Sequence, residues 1–227
     1  MACASHTVVI SPHFDDAVLG CGDLLAAMPG CTVITVYSGV PPAGTSAPDW
    51  DRRCGFATAD EAMLARERED SEALATLQAH ALRLGLMDSQ YASPDDPVRL
   101  DDALAGALGL LQPQRVYMPL GLFHDDHRRV CDAALRIGAL SSCEWLAYEE
   151  ALYRRKPGLL QQRLAELLAR GVVATPEPGP PPSDGKKASA VAAYASQLRA
   201  LGLQPGMGDP AQPERYWRLS WASERRA

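Results

Sequence analysis

The chain has 227 residues, of which 47% are hydrophobic and 22% charged, and its 22 Lys and Arg against 28 Asp and Glu give a formal net charge of −6. This composition can build one sizeable hydrophobic core, which excludes an intrinsically disordered or coiled-coil chain. The acidic balance argues against binding to the phosphate backbone of nucleic acids, because that function needs clustered Lys and Arg.

No segment approaches the ~20 consecutive apolar residues that are needed to cross a bilayer. The N-terminus also lacks the cationic flank and the long apolar core of a signal peptide. We therefore expect a cytoplasmic protein without a transmembrane segment. The six cysteines are scattered and form no Cys-x-x-Cys pair, so we expect free thiols rather than a structural zinc site.

Strand-like and helix-like patterns alternate along the chain. A β-branched run at 7–10 leads into apolar residues at helical spacing, and a second such run follows the helix-ending Pro29 and Gly30. The predicted strands span 7–10, 31–37, 82–86, 115–119 and 143–148, with 216–221 as a terminal strand or packed tail. The predicted helices span 17–28, 58–81, 97–111, 130–140 and 186–201. These repeated units favour an α/β fold, namely a Rossmann-like three-layer sandwich with a mostly parallel sheet.

Two irregular segments interrupt this pattern. Residues 38–57 are rich in Pro and Gly, and we interpret them as a long loop that either faces a substrate or is a mobile insertion. The Pro-rich residues 176–185 are interpreted as a surface loop, because too few residues follow them to form a further domain. We therefore expect a single domain over residues 1–227.

Three titratable side chains follow the first predicted strand, namely His13, Asp15 and Asp16. In parallel α/β sheets the carboxyl ends of the strands are where ligands bind. Polar groups buried there without a partner would cost free energy, and a metal ion would satisfy them. The alternative for the acidic pair is a simple helix cap, since Asp is a good N-cap residue.

The fourth predicted strand runs into His124 and His127 at the same edge of the sheet. If the first and fourth strands are neighbours, His13, Asp16 and His127 would converge on one ion. Two imidazoles and one carboxylate form a common open site for a divalent metal. A His-x-x-His alone is a weak signal, but both motifs at the same edge predict a metal site.

These motifs resemble those of a known family. Ser-Pro-His13-Phe-Asp15-Asp16 is similar to the Pro-His-Pro-Asp-Asp-Glu signature of the LmbE-like, or PIG-L, zinc-dependent N-acetylglucosaminyl de-N-acetylases, and His124-Asp-Asp-His127 is similar to their His-x-x-His. Segments around 68–88, 148–150 and 187–197 extend the resemblance over about residues 7–200. Phe14 and Ala17 stand where the signature has Pro and Glu, which removes one carboxylate that could orient the site.

The resemblance implies a hydrolase that removes an N-acetyl group from an N-acetylated amino sugar or glycoconjugate and releases acetate and a free amine. It implies that His13, Asp16 and His127 bind Zn²⁺, or another divalent metal such as Fe²⁺, and that Asp15 is the general base. His124 would then stabilise the oxyanion or protonate the departing amine.

Four further residues are candidate substrate contacts. Arg68 lies on a predicted helix and would contact sugar hydroxyls or the acidic site, the alternative being a solvated helix face. Asp88 and Glu149 each follow a predicted strand at the same edge, and Trp50 would stack on a sugar if its loop folds inward. We expect Tyr194 to pack its helix onto the sheet.

Other functions remain open at this stage. An acidic pair after the first strand with Asp88 after the third is also typical of phospho-acceptor receiver domains, but these are shorter and need a lysine where Tyr148, Glu149 and Glu150 stand. A two-His-one-carboxylate iron oxygenase usually has an all-β scaffold. Within the family, the substrate would alternatively be another acylated conjugate, such as an antibiotic, a thiol or a cell-surface precursor, or the protein would bind sugars without turnover.

Overall fold

The computed structural model describes residues 6–92, 97–202 and 213–222. Within them, the strands are Thr7–Ser11 (β1), Thr32–Thr35 (β2), His80–Arg83 (β3), Arg115–Pro119 (β4), Glu144–Tyr148 (β5), Val172–Glu177 (β6) and Tyr216–Trp221 (β7). The helices are Asp16–Ala27 (α1), Asp49–Cys54 (α2), Ala59–Thr76 (α3), Pro97–Leu111 (α4), Asp125–Gly138 (α5), Leu159–Ala169 (α6), Lys186–Ala192 (α7) and Ala195–Leu201 (α8). No helix in these ranges is both long enough and apolar enough to span a membrane.

The strands form one seven-stranded sheet in the order β3-β2-β1-β4-β5-β7-β6. The five strands from β3 to β5 are parallel, and β7 is antiparallel to both of its neighbours. The chain winds outward from β1 to β3 and then crosses back to β4, so the winding direction reverses between β1 and β4. Such a reversal opens a crevice at the carboxyl ends of the two strands.

Helices cover both faces of the sheet. Val8 and Ile10 of β1 pack in one core with side chains of α4 and α5, whereas Val9 packs in a second core with side chains of α1 and α3. Alternate residues of a strand point to opposite faces, so the apolar run of β1 feeds both cores. The predicted α/β sandwich with a mostly parallel sheet is thus confirmed.

Several predicted boundaries were wrong. The predicted helix 58–81 ends at Thr76 because β3 already begins at His80, and the predicted loop 38–57 contains the short helix α2. The predicted helix 186–201 is broken at Tyr194, which has non-helical backbone angles of φ −80° and ψ 51°. Helix α6 and strand β6, which lie between β5 and the Pro-rich segment, were not predicted.

Gly39 joins the loops that follow β2 and β3. Its backbone N–H donates to the carbonyl of Leu86 at 2.9 Å, and a Cβ atom at this position would lie 2.8 Å from the carbonyl oxygen of Gly85. Because backbone atoms cannot move aside cheaply, we expect Gly39→Ala to lower the free energy of unfolding by about 1–3 kcal/mol. Urea denaturation measures this change.

The matched control is Gly106→Ala in α4, where an added Cβ meets no atom within 4 Å. This control should leave the free energy of unfolding unchanged or raise it by up to about 1 kcal/mol, because Ala favours the helix. Equal behaviour of the two variants would contradict the packing argument.

Candidate functional site

A cavity of about 400 Å³ opens at the carboxyl ends of β1 and β4. His13, Asp15 and Asp16 reach it from the turn after β1, and His124 and His127 reach it from the start of α5 after β4. The two strands are parallel neighbours, with Val8 opposite Val116. The two motifs therefore lie side by side, as predicted, at the point where the winding of the sheet reverses.

Three of these side chains form a group that could hold a metal ion. One nitrogen or oxygen atom from each of His13, Asp16 and His127 lies within 4.8 Å of the other two. Oδ2 of Asp16 is 3.3 Å from Nδ1 of His13 and 3.1 Å from Nε2 of His127. Two imidazoles and one carboxylate fit Zn²⁺, and the same donors accept other divalent transition metals.

A carboxylate lies behind each of the two histidines. Nδ1 of His127 is 3.3 Å from Oε1 of Glu150, and Nε2 of His13 is 3.3 Å from Oδ2 of Asp126. Each histidine thus turns one nitrogen toward Asp16 and the other toward a supporting carboxylate. In metal sites such a carboxylate fixes the orientation of the ring and raises the basicity of its ligating nitrogen. These residues therefore fit a metal centre in their outer contacts as well.

Glu150 also holds the loop that leads into α5. Its Oε1 accepts hydrogen bonds from the backbone N–H groups of Gly121 and Leu122, at 2.8 and 3.0 Å. The side chain is buried, so these bonds offset the cost of removing a carboxylate from water. One oxygen atom therefore fixes both the ring of His127 and the backbone of the preceding loop.

His124 caps α5. Its Nδ1 accepts a hydrogen bond from the backbone N–H of Asp126 at 3.2 Å. Burial and the nearby rings of His13 and His127 lower the pKa of His124. This shift favours the neutral ring, and because Nδ1 is an acceptor, the proton of the neutral ring resides on Nε2. His124 also forms a second group of possible metal ligands, with His13 and Asp126.

The adjacent carboxyl groups of Asp15 and Asp16 titrate differently. Burial and the charge of Asp16 raise the pKa of Asp15 to about 6. Although burial also acts on Asp16, the rings of His127 and His13 hold its pKa well below the ordinary value. Burial lowers the pKa of His127, but Asp16 and Glu150 outweigh burial and raise it to about 9. The cluster of carboxylates thus favours positive charge at its centre.

Two of the four predicted substrate contacts line the cavity, namely Trp50 and Asp88. Trp50 lies on α2, and its Nε1 donates to Oε1 of Gln197 at 3.1 Å. Asp88 accepts a hydrogen bond from the backbone N–H of Gln90 at 2.9 Å, and its Oδ2 is 3.6 Å from Nε2 of His13. The segment around Trp50 therefore folds inward.

The side chain of Arg68 is exposed and does not line the cavity, as in the alternative of a solvated helix face. Arg66 lines the cavity instead and is buried. It forms an ion pair with Asp51 and donates to the hydroxyl of Tyr91 at 3.1 Å. Residues two apart lie on nearly opposite faces of a helix. Arg66 therefore lies on the buried face of α3 and Arg68 on the solvated face.

Glu149 also lies outside the lining of the cavity. Its buried side chain accepts a hydrogen bond from Nε1 of Trp217 at 3.0 Å. The adjacent Glu150 supports His127 instead. Consecutive residues at the end of a strand point to opposite sides, and the sequence alone did not show which side faces the site.

Residues 8–138 match the protein-family model described as PIG-L, GlcNAc-PI de-N-acetylase. A triple mutant of a deacetylase in the teicoplanin biosynthetic pathway is 25% identical to this chain, with a TM-score of 0.78, over 97% of this chain and 100% of the other. The A40926 pseudoaglycone deacetylase Dbv21 is 23% identical with a TM-score of 0.77, over 98% of this chain and 100% of its own.

A zinc-inhibited form of the teicoplanin deacetylase Orf2 is 22% identical, with a TM-score of 0.78, over 97% of this chain and 100% of the other. At this identity, as for Dbv21, the likeness shows the fold alone. No curated protein sequence matches the chain significantly.

Proposed function

The chain belongs to the PIG-L family of GlcNAc-PI de-N-acetylases, and from this membership we propose that it is a metal-dependent hydrolase. The proposed reaction removes an N-acetyl group from an amino sugar or glycoconjugate and releases acetate and a free amine. The observation that carries the proposal is the group of His13, Asp16 and His127 with Asp15 beside it, in one cavity. A receiver domain would leave these histidines without a role, and an iron oxygenase of this ligand type usually has an all-β scaffold.

His13, Asp16 and His127 would hold the metal, which when bound polarises the amide carbonyl and makes a water molecule more acidic. Asp15 lines the same cavity but is outside the group of three, so it is free to accept the proton of the attacking water. His124 would donate its Nε2 proton in a hydrogen bond to the developing oxyanion. The C–N bond then breaks, and the proton held by Asp15 passes to the departing nitrogen.

The lining of the cavity supports a sugar-containing substrate. Trp50 offers an aromatic ring to the cavity, and Asp88, Gln90 and Gln197 offer polar groups to it. A sugar ring needs both kinds of contact, because it has apolar C–H faces and a hydroxyl edge. A second candidate substrate is an acylated antibiotic, because the similar solved structures include a deacetylase of the teicoplanin biosynthetic pathway and the A40926 pseudoaglycone deacetylase, both over nearly the whole chain.

The test is metal content together with amine release. Purified protein is stripped with a chelator, reloaded with Zn²⁺, Fe²⁺ or Co²⁺, and supplied with N-acetylglucosamine glycosides or with teicoplanin. We expect turnover only in the metal-loaded protein, with acetate released from the glycosides. Release of a different acid from teicoplanin alone would favour the antibiotic substrate. Turnover that survives complete removal of metal would contradict the proposal.

Glu150→Gln is expected to weaken metal binding by about 10- to 100-fold. The amide oxygen of Gln can still accept from the backbone of Gly121 and Leu122, but the uncharged group supports the ring of His127 less well. Isothermal titration with Zn²⁺ measures the change. Glu149→Gln is the matched control, because this adjacent buried carboxylate bonds Trp217 instead. Equal losses in both variants would argue against a specific role for Glu150.

A further inference from the structure

The turn that carries His13 and Asp15 has Phe14 between them, where the signature of the family has proline. Proline would fix its own φ angle and restrict the residue before it, which here is a candidate metal ligand. Phenylalanine imposes neither constraint. The turn must nevertheless be held closely, because ligands need to be fixed within about 0.5 Å of a productive geometry.

Contacts from two other elements hold Phe14. The hydroxyl of Tyr194 lies 3.0 Å from the carbonyl oxygen of Phe14, and the guanidinium carbon of Arg83 lies 5.7 Å from the centroid of its ring. Phe14 is buried. Tyr194 stands at the break between α7 and α8, and Arg83 ends β3. Phe14 in the turn after β1 is thus contacted both at its backbone carbonyl and at its side chain.

Asp70 on α3 connects the two contacts. Its Oδ1 is 3.0 Å from the hydroxyl of Tyr194, and its Oδ2 is 3.2 Å from Nη2 of Arg83. Asp70 is 0% exposed and Tyr194 is 1% exposed, so water does not compete for these bonds. Phe14, Tyr194 and Asp70 are buried and Arg83 is half-buried, and we call these four connected residues the Phe14 clamp.

The hydroxyl of Tyr194 is the central hydrogen-bonding group of the clamp. The tyrosine hydroxyl has one proton, yet it lies 3.0 Å from two oxygen atoms. A three-centre bond would share this proton between the two oxygen atoms, whereas two separate hydrogen bonds require that the carboxyl of Asp70 is protonated and donates to Tyr194, which in turn donates to Phe14. Burial raises the pKa of Asp70 to about 7, although Arg83 and Tyr194 act in the opposite direction. A neutral, directed chain of hydrogen bonds is consistent with this environment.

We propose that Tyr194 is a positioning residue that, supported by Asp70, holds the carbonyl of Phe14 and so fixes the turn between His13 and Asp15, a rigidity that phenylalanine itself does not provide. The hydroxyl acts on the metal site through the backbone between His13 and Asp15 and touches no reacting atom. The inference rests on the proposed function, because its main readout is metal binding.

The experiment compares Tyr194→Phe with Tyr148→Phe. The second variant also removes a buried hydroxyl that donates to a backbone carbonyl, that of Ile10 at 2.9 Å, but this carbonyl lies on β1 rather than in the turn. Co²⁺ affinity and the visible Co²⁺ spectrum are measured for each. We expect Tyr194→Phe to weaken Co²⁺ binding about 10-fold and to change the spectrum, and Tyr148→Phe to change neither. Equal Co²⁺ behaviour of the two variants would overturn the proposal.

Two substitutions of Asp70 test the direction of the hydrogen bonds. Asp70→Asn can still donate to Tyr194 and accept from Arg83, so it should keep wild-type Co²⁺ affinity. Asp70→Ala can do neither and should resemble Tyr194→Phe. If Asp70→Asn loses affinity as much as Asp70→Ala does, the chain of hydrogen bonds does not run in the proposed direction.

A metal-free readout separates this proposal from the proposed function. Hydrogen exchange of the peptide covering residues 12–19 is measured in the stripped wild type and in Tyr194→Phe. We expect at least 10-fold faster exchange in the variant, and unchanged exchange would contradict the clamp even if the wild type bound metal. Failure of the wild type to bind any metal, with faster exchange in the variant, would instead reject the proposed function and leave the clamp standing.

Discussion

His127→Ala is expected to abolish both metal binding and deacetylation. The ring supplies one of three candidate ligands, and its loss leaves only His13 and Asp16. It also leaves the buried Glu150 without its histidine partner, which adds a cost in stability. Metal content by atomic spectrometry and acetate release measure the two losses, and circular dichroism checks that the variant is folded.

The control for this prediction is His80→Ala. His80 is an exposed residue on β3, at the edge of the sheet away from the cavity. This variant should keep full metal content and full turnover. If folded His127→Ala retained one bound ion and normal acetate release, the assignment of the metal ligands would be wrong.

Asp15→Asn is expected to lower kcat by about 100- to 10,000-fold, which is the usual contribution of a general base. Metal content should stay near that of the wild type, because Asp15 is outside the group of three candidate ligands. Steady-state kinetics on metal-saturated protein measures the loss. A loss of kcat with retained metal distinguishes proton transfer from metal binding.

Asp102→Asn on the exposed surface of α4 is the matched control, since it makes the same chemical change outside the cavity. It should leave kcat unchanged. Full turnover of Asp15→Asn with metal bound would disprove the role of general base, and loss of the metal would make Asp15 a ligand instead.

The convergence of the candidate metal ligands was predictable because these residues follow strands directly. His13 and Asp16 come just after β1 and His127 follows β4, and parallel strands deliver their carboxyl ends to one edge of the sheet. Only the adjacency of β1 and β4 had to be assumed, and the structure has it. The fold class was predictable for the same reason, since the strand and helix periods are local properties of the sequence.

The supporting residues were harder to identify because they depend on exact phase. The difference between Glu149 and Glu150 is one position after a strand, and that between Arg66 and Arg68 is two positions on a helix. The clamp was missed as a unit because α3, β3 and the α7–α8 break bring its members together from distant parts of the chain. Local sequence patterns do not predict contacts between such distant segments.

The order of residues along the chain separates the candidate ligands from two of the groups that orient them, Glu150 and Tyr194, whereas Asp126 lies between the ligands in the sequence. His13, Asp16 and His127 all precede residue 128, whereas Glu150 follows β5 and Tyr194 comes later still. The chain is synthesised from its N-terminus, so all three candidate ligands emerge before Glu150 and Tyr194 do. A chain that ends before β5 would therefore carry the three ligands without the carboxylate that contacts His127 and without the hydroxyl that contacts Phe14. We expect such a truncated chain to bind a divalent ion more weakly than the folded protein.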